Sequence, residues 1–191
     1  MTSKYTIEQT FTKQDFTKNP LPKGVYENCT FIQCDFSQTD LSDVKLEDCE
    51  MEGCNWSMVK LHNTALRNVN FIACKLLGLR WEDCNQFALV FSFENCMLDH
   101  SSFFQMKIKG TNFKDCSLQE VDFSNCDISS CTLQNCDLKR AIFDNTVMEK
   151  TDFRTSFNYS IDLSLNKTKK TKFSKDGIIG LLDKYDIEIE D

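Results

Sequence analysis

The stretch Asn125–Asp137 reads NCDISSCTLQNCD and decides the fold of this chain. It places Cys126, Cys131 and Cys136 five residues apart. An α-helix repeats its faces about every 3.6 residues and a β-strand about every 2 residues, so neither produces this spacing. A period of five instead indicates two inward side chains that flank one outward side chain, followed by two residues that turn the chain.

The same period covers most of the sequence. A first register has a large apolar side chain at every fifth position from Phe11 to Trp81, and a second register does the same from Phe93 to Phe153. Two residues before the large ones from Phe31 to Leu76 and from Leu98 to Phe153 lies a small or slender side chain such as cysteine, threonine, serine or valine, with Met106 as the large exception. The large positions are Phe11, Phe16, Leu21, Tyr26, Phe31, Phe36, Leu41, Leu46, Met51, Trp56, Leu61, Leu66, Phe71, Leu76, Trp81, Phe93, Leu98, Phe103, Ile108, Phe113, Leu118, Phe123, Ile128, Leu133, Leu138, Phe143, Met148 and Phe153.

Four such units close a square coil of about 20 residues, and stacked coils form a solenoid. Side chains one full coil apart should therefore form columns. Two sets of three cysteines are spaced in this way, but Cys96 follows Cys74 by two residues more than one coil, so two extra residues are predicted to bulge outward within 84–93. The predicted bulge residues are Asn85, Gln86 and Phe87. We interpret the six cysteines as one interior column that fills corners too tight for leucine: Cys34, Cys54, Cys74, Cys96, Cys116 and Cys136.

Other roles for the eleven cysteines fit less well. Zinc sites usually pair cysteines two to four residues apart and often add histidine, but the two histidines, His62 and His100, fall at outward turn positions. Stacked coils bring Cα atoms within bridging distance, but parallel inward side chains favour free thiols that pack as small apolar groups. We therefore expect reduced thiols, no metal and no cofactor. The first residues, MTSKYTIEQTF, contain no apolar segment typical of a signal peptide, so a cytoplasmic location is expected.

Composition narrows the class of protein. The chain has 191 residues, with 22 basic and 29 acidic side chains and a formal charge of −7. This balance argues against a phosphate-binding surface and suits a basic protein partner, so no direct nucleic-acid contact is expected. No apolar run approaches the roughly 18 residues that a membrane span needs, so no membrane association is expected either.

The unit of a small residue, Asp or Asn, then Leu or Phe resembles the pentapeptide-repeat proteins. The segments that carry the motif are CDFSQ and TDLSD in 34–43, VDFSN in 121–125, CDLKR in 136–140 and TDFRT in 151–155. This resemblance implies an all-β solenoid, the right-handed quadrilateral β-helix. We expect an N-terminal cap and irregular first coil in 1–25, the β-helix in 26–156, and a C-terminal cap, helix and dimerisation segment in 157–191.

The C-terminal segment departs from the period after Phe153, since the next position in register holds Asn158. Ser174 is placed to cap a short α-helix, which Gly177 and Gly180 weaken, so the helix needs a packing partner. Its apolar residues either join two copies of the chain or fold back over the last coil of their own chain. The predicted dimer interface is Ile178, Ile179, Leu181, Leu182 and Tyr185.

An ending of this kind after such a solenoid is similar to the branch that contains the Qnr quinolone-resistance proteins, the mycobacterial MfpA protein and the microcin immunity protein McbG. This resemblance implies a dimeric, non-enzymatic rod that acts on DNA gyrase or topoisomerase IV through an acidic surface resembling duplex DNA. Many Qnr rods carry projecting loops that matter for protecting the enzyme from quinolones. Here Glu47–Trp56 keeps strict register and only two extra residues follow Cys84, so no long loop is expected.

The residues themselves show no nucleophile motif, P-loop or dinucleotide fingerprint, so no enzyme is expected. One side of the folded square carries six acids against Lys60 and Arg80. We interpret this acidic face as the candidate partner-binding surface; a solvated charged face, or a scaffold with another protein partner, remains the alternative. The acidic face consists of Asp40, Asp43, Glu82, Asp83, Asp122 and Asp144.

Overall fold

The computed structural model describes residues 4–185 and 187–188, and it shows short parallel strands from successive coils stacked into two sheets. One sheet has the order β1-β3-β5-β7 and the other β11-β10-β9-β8-β6-β4-β2. Single parallel bridges along the remaining sides continue the stack. The strands are β1 (Lys4–Ile7), β2 (Thr10–Thr12), β3 (Gly24–Glu27), β4 (Thr30–Ile32), β5 (Lys45–Glu47), β6 (Glu50–Glu52), β7 (Ala65–Arg67), β8 (Val69–Ile72), β9 (Phe91–Glu94), β10 (Asn112–Lys114) and β11 (Thr132–Gln134).

The register of these strands is the one that the sequence predicts. Phe113 lies beside Leu133, one coil further along the chain, and the same spacing relates most of the other paired residues. Across the insertion the spacing grows by two residues, as between Phe71 and Phe93. The segment 47–56 keeps its register throughout. The predicted right-handed quadrilateral β-helix is therefore confirmed.

The core is a continuous stack of the large inward side chains. Trp56, Trp81 and Phe113 have no exposed surface. Phenylalanines of successive coils stack face to face, with ring centroids 5.1 Å apart for Phe93 and Phe113. Stacked aromatic pairs add to the stability that their buried area provides. Each coil therefore depends on the coils directly above and below it.

The slender residue two positions before each large one has a role that size alone did not reveal. The thiol of Cys54 donates to the carbonyl of Phe31, at 3.2 Å, and the hydroxyl of Thr64 donates to the carbonyl of Leu41, at 2.8 Å. In both cases the acceptor belongs to the coil below. A buried carbonyl needs a hydrogen-bond partner, so cysteine, threonine and serine recur here as donors as well as fillers.

The prediction that these corners are too tight for leucine is wrong as a general rule. Leu79, Phe91 and Met106 occupy equivalent positions and are buried. All three lie on the coils next to the insertion, where the register changes by two residues. The eleven cysteines are free and buried, and burial raises the pKa of Cys49 to about 11.

The solenoid begins earlier than the predicted limit at residue 26. Strands β1 and β2 pair in register with β3 and β4. The ring of Phe11 stacks on Phe31 at 4.7 Å, and the ring of Phe16 stacks on Phe36 at 4.5 Å. The described part of 1–25 is thus a coil of the same kind, because its inward aromatic rings meet those of the next coil.

The solenoid also ends later than the predicted limit at 156. Bridges join Val147 to Lys167 and Asp152 to Lys172. Phe173 stacks on Phe153 at 5.5 Å. The period fails at exposed Asn158 because its neighbour Tyr159 is buried instead, with 4% of its surface exposed.

The predicted C-terminal α-helix is replaced by two 3-10 helices, Asp176–Leu181 and Asp183–Tyr185. The hydroxyl of Ser174 accepts a hydrogen bond from the amide of Gly177, at 3.0 Å, which is the predicted cap. A Cβ atom on Gly180 would collide with the carbonyl oxygen of Tyr159, so glycine permits this close approach. The amide of Ile161 donates to the carbonyl of Gly180, at 2.9 Å.

The two glycines explain why an α-helix does not form. Glycine is a weak helix former, and here both glycines lie against Tyr159. Packing onto the last coil therefore takes precedence over regular helix geometry. None of the helices in 4–185 has the length and apolar character required to cross a membrane.

Candidate partner-binding surfaces

The acidic face lies on one side of the rod. Its middle column follows the bridges from Asp40 to Lys60 and from Arg80 through Ser102 and Asp122 toward Ile142. The large inward residues behind this face are buried, so its backbone is held in place by the core. The fold therefore holds these carboxylates at fixed positions relative to one another.

The carboxylates at one end of the face are stabilised in their charged form. Asp40 accepts a hydrogen bond from the amide of Ser42 at 2.9 Å. Hydrogen bonds from the side chain and backbone of Ser42 lower the pKa of Asp40. Asp43 accepts the side-chain amide of Asn63 at 2.9 Å, which lowers its pKa as well. Lys23 lies 3.5 Å from Asp43. Both carboxylates are ionised at neutral pH, and Lys23 partly offsets the charge of Asp43.

Glu82 and Asp83 contribute less charge than the sequence suggests. They lie in a 3-10 helix, Trp81–Asp83, where the guanidinium of Arg80 is 3.3 Å from Glu82 and 3.6 Å from Asp83. The side chain of Glu82 is only 17% exposed. The negative charge of the face is therefore concentrated at its two ends, around Asp40 and Asp43 and around Asp122 and Asp144.

Two apolar side chains on the same face were not singled out in the sequence. Phe104 is 37% exposed and Ile142 is 50% exposed, and Ile142 lies directly beside Asp122 in the middle column. The available signal was an apolar residue at an outward position of the period, where most coils have a polar one. Acidic and apolar groups together make this a mixed surface, and aromatic residues are enriched in protein interfaces.

The bulge lies between Asn85, which still keeps the regular coil spacing from its partner Ala65, and Phe91, which lies two residues beyond that spacing from Val69. This position is within the predicted 84–93. The side-chain oxygen of Asn85 accepts the amide of Phe87 at 2.9 Å and so closes the turn.

Phe87 projects from the bulge and is 74% exposed, with the guanidinium of Arg67 5.7 Å from its ring centroid. Gln86 is exposed as well. Sequence reasoning missed the other half of the bulge: Val90 is 56% exposed, and Leu89 packs against the core. Leu89 takes over the inward role that the regular period would assign to Gln86, one coil after Leu66.

The C-terminal end carries the third surface. Ile178, Leu181, Leu182 and Tyr185 line a cleft of about 480 Å³ together with Leu163. Ile179, the fifth predicted interface residue, instead lines a neighbouring cleft beside Tyr159. Ile178 and Tyr185 are about half exposed, whereas Leu181 packs against the core.

Histidines and metal-binding groups are the remaining candidates for a functional site. His62 is exposed, and the ring of His100 lies 3.2 Å from Glu120. Within the described residues, no group of three or more histidine, cysteine, aspartate or glutamate side chains is arranged to hold a metal ion.

Several solved protein structures are similar to the chain. The chain is similar to QnrB1, a plasmid-mediated fluoroquinolone resistance protein, at 16% identity over 100% of both chains, with a TM-score of 0.49. It is similar to HetL, a pentapeptide repeat protein involved in heterocyst differentiation regulation in the cyanobacterium Nostoc sp. strain PCC 7120, at 16% identity over 88% of this chain and 86% of HetL, with a TM-score of 0.35. A pentapeptide repeat protein of the Arabidopsis thaliana thylakoid lumen is 21% identical over 78% of this chain and 74% of its own, with a TM-score of 0.26.

No curated protein sequence matches the chain. The family model described as "Pentapeptide repeat region" matches residues 26–103 and 87–153, which is more than half of the chain. The matched residues lie within the stacked coils described above. The chain therefore belongs to the pentapeptide-repeat family.

Proposed function

We propose that this chain is a non-enzymatic binding protein whose acidic face occupies a basic, DNA-binding surface on a type II topoisomerase such as DNA gyrase. The observation that carries the proposal is the acidic face itself, with ionised carboxylates held at fixed positions on a rigid rod. Binding would compete with DNA and change the response of the enzyme to quinolones. Complementary fields would speed association and make binding sensitive to salt.

The acidic face carries its negative charges farther apart than duplex DNA does, which limits how closely it can mimic DNA. Coils are stacked about 4.8 Å apart, whereas duplex DNA carries one negative charge per roughly 1.7 Å of axis. With Glu82 and Asp83 close to Arg80, the face is much sparser than DNA. Exposed Phe104 and Ile142 would therefore supply part of the binding energy through apolar contacts.

The test is a gyrase supercoiling assay with purified protein, with and without a quinolone. The informative variant is Asp122→Asn with Asp144→Asn, and its matched control is Glu50→Gln with Glu52→Gln on β6, which removes the same charge from another side of the rod. We expect the parent and the control to alter supercoiling or quinolone inhibition and the first variant to lose most of this effect. No effect of the parent at micromolar concentration would rule out the proposal.

The rod is also proposed to be a homodimer joined through its C-terminal cleft. Half-exposed Ile178 and Tyr185 leave apolar surface that a two-fold contact would bury. Sedimentation equilibrium should give about twice the chain mass of 22.1 kDa. Ile178→Asp with Tyr185→Asp should restore the single-chain mass without disturbing Leu181, which packs against the core. A parent that sediments as a monomer at tens of micromolar would show that the segment only covers its own last coil.

The second candidate function is a scaffold for a different protein partner, and the bulge favours it. Phe87 and Val90 expose apolar surface on a side of the rod that is not the acidic face. A pull-down from the native cytoplasm distinguishes the two functions, because recovery of gyrase subunits supports the first and another single partner supports the second. The free, buried thiols suit a reducing compartment, and the cytoplasm is the expected location.

A further inference from the structure

The last coil has a charge opposite to that of the whole chain. Residues 167–175 read KTKKTKFSK and contain five lysines and no acidic residue, although the chain as a whole carries −7. The net charge of the whole chain hides this local excess of positive charge. The stacked coils bring a sixth lysine, Lys150, to the same place, because its amide donates to the carbonyl of Lys169 at 3.0 Å.

These side chains surround one corner of the rod. Lys167 and Lys169 belong to one side of the last coil, and Lys172 belongs to the next side. Lys150 and Lys170 occupy the turn between the two sides on successive coils, with φ angles of 61° and 60°. All are exposed. We call Lys150, Lys167, Lys169, Lys170 and Lys172 the lysine corner.

The lysine corner is poorly neutralised by its own chain. Among the described residues, none of Lys150, Lys167, Lys169 and Lys170 takes part in an ion pair, and Lys172 is 3.6 Å from Asp152. The carboxylate of Asp152 is already held by Arg154 at 2.7 Å, and this contact lowers its pKa to about 2. Elsewhere the rod pairs its bases across coils, as Arg67 does with Glu47 and Lys114 with Glu94.

We propose that the lysine corner binds the phosphate backbone of a nucleic acid. Four lysines on the last coil and one on the coil before it form a cluster of cations that several phosphates of one backbone can contact, and phosphate contacts of this kind need no particular base sequence. Thr168 lies between two of the lysines in sequence, whereas a protein partner would favour exposed aromatic groups. A flexible polyanion can follow two adjoining sides of a corner, which a planar membrane cannot.

The proposal does not depend on the acidic face or on a topoisomerase. The acidic face lies along a different side of the rod, and the two surfaces have no residue in common. The expectation that the chain avoids phosphates rested on its net charge. The structure instead separates a negative rod from a positive last coil, and short-range fields depend on the local charge.

The experiment is fluorescence anisotropy with short labelled oligonucleotide probes of equal length, one single-stranded and one duplex, titrated with the full chain at several salt concentrations. At 50 mM salt we expect a dissociation constant of about 1–100 µM. By 200 mM it should weaken roughly 100-fold for the single strand and roughly 500-fold for the duplex, since about five cations are involved. The tighter of the two probes identifies the form of nucleic acid preferred.

The test variant changes Lys150, Lys167, Lys169 and Lys170 to Gln, and its matched control changes Lys13, Lys45, Lys60 and Lys75 to Gln. The control lysines are exposed and lie on earlier coils, so both variants lose the same charge. We expect at least tenfold weaker binding and a shallower salt dependence for the test variant only, with unchanged melting of both. No binding by the parent at 100 µM would overturn the proposal, and so would equal losses in both variants. Salt-sensitive self-association that only the test variant abolishes would assign the corner to a second copy instead.

Discussion

The regular coils and the C-terminal end both bury apolar side chains, but they cover them with different contacts. In the coils, a buried ring such as Phe113 has a similar side chain above and below it and no exposed surface. At the end, Phe173 has such a neighbour on one side only. The stack is closed there by a contact between Tyr159 and Gly180 that is not part of the repeat. The end also leaves Ile178 about half exposed.

This difference shows where the chain can carry partner-binding surfaces without disturbing the repeated core. A repeat unit that contacts only its neighbours is stable as long as each coil repeats the same inward pattern. Positions that depart from the pattern, at the bulge and after Phe153, expose apolar groups such as Phe87 and Ile178 or collect like charges. The breaks in the period, together with the acidic face, are therefore the places to look for partners.

The largest loss of stability is expected when a central ring, which packs against the coils on both sides, is removed. Phe113→Ala removes a fully buried ring from the middle of the stack and should lower the free energy of unfolding by about 3–5 kcal/mol. Phe173→Ala, at the half-buried end of the same column, should cost less than half of that. Urea denaturation of both variants measures the difference. Equal losses would mean that the end is as tightly packed as the middle.

The fold itself was predictable because one inward pair per five residues leaves few chain paths. Columns such as Cys34, Cys54 and Cys74 fixed the coil length from spacing alone. The ends were harder, because a period identifies coils only while it lasts. Tyr159 replaces Asn158 as the inward residue without any change of composition that would mark the shift.

The candidate surfaces were predictable only in part. The register assigned the acids to one side, but it could not show that Arg80 lies against both Glu82 and Asp83. Nor could it show that Leu89 turns inward, because an inserted residue has no counterpart on the coil before it. Side-chain contacts between coils depend on rotamers, which a spacing argument does not contain.

A medium effect is expected at the interior donor position. Cys54→Leu should cost about 1–3 kcal/mol by overfilling, since the sulfur of Cys54 lies between the carbonyl of Phe31 and the amide of Cys34. Cys54→Ala should cost about 1–3 kcal/mol because the Phe31 carbonyl loses its donor. Cys54→Thr keeps a donor, as Thr64 does naturally, and should be the mildest.

Thermal or urea unfolding of these three variants separates size from hydrogen bonding. Because Leu79 is accommodated at an equivalent position beside the insertion, the comparison also tests whether the regular coils are tighter than those near the bulge. If Cys54→Leu is as stable as the parent, the regular corners are as permissive as those near the bulge. If Cys54→Thr is as damaging as Cys54→Ala, the donor role is wrong.

The smallest expected effect is local and concerns how the C-terminal end is held. Asp162 accepts hydrogen bonds from Lys184 and from the amide of Ser164, and the contact with Lys184 chiefly lowers its pKa from 3.8 to about 2. A lowered carboxyl pKa stabilises the folded end above about pH 4, and this stabilisation is lost as pH falls toward 2. Amide NMR signals of Asp183–Tyr185 should therefore shift or broaden over that range while those of β11 stay in place. Asp162→Asn should remove this transition, leaving only the intrinsic titration of neighbouring carboxyls. A transition of the same size in the variant would show that another group holds the end.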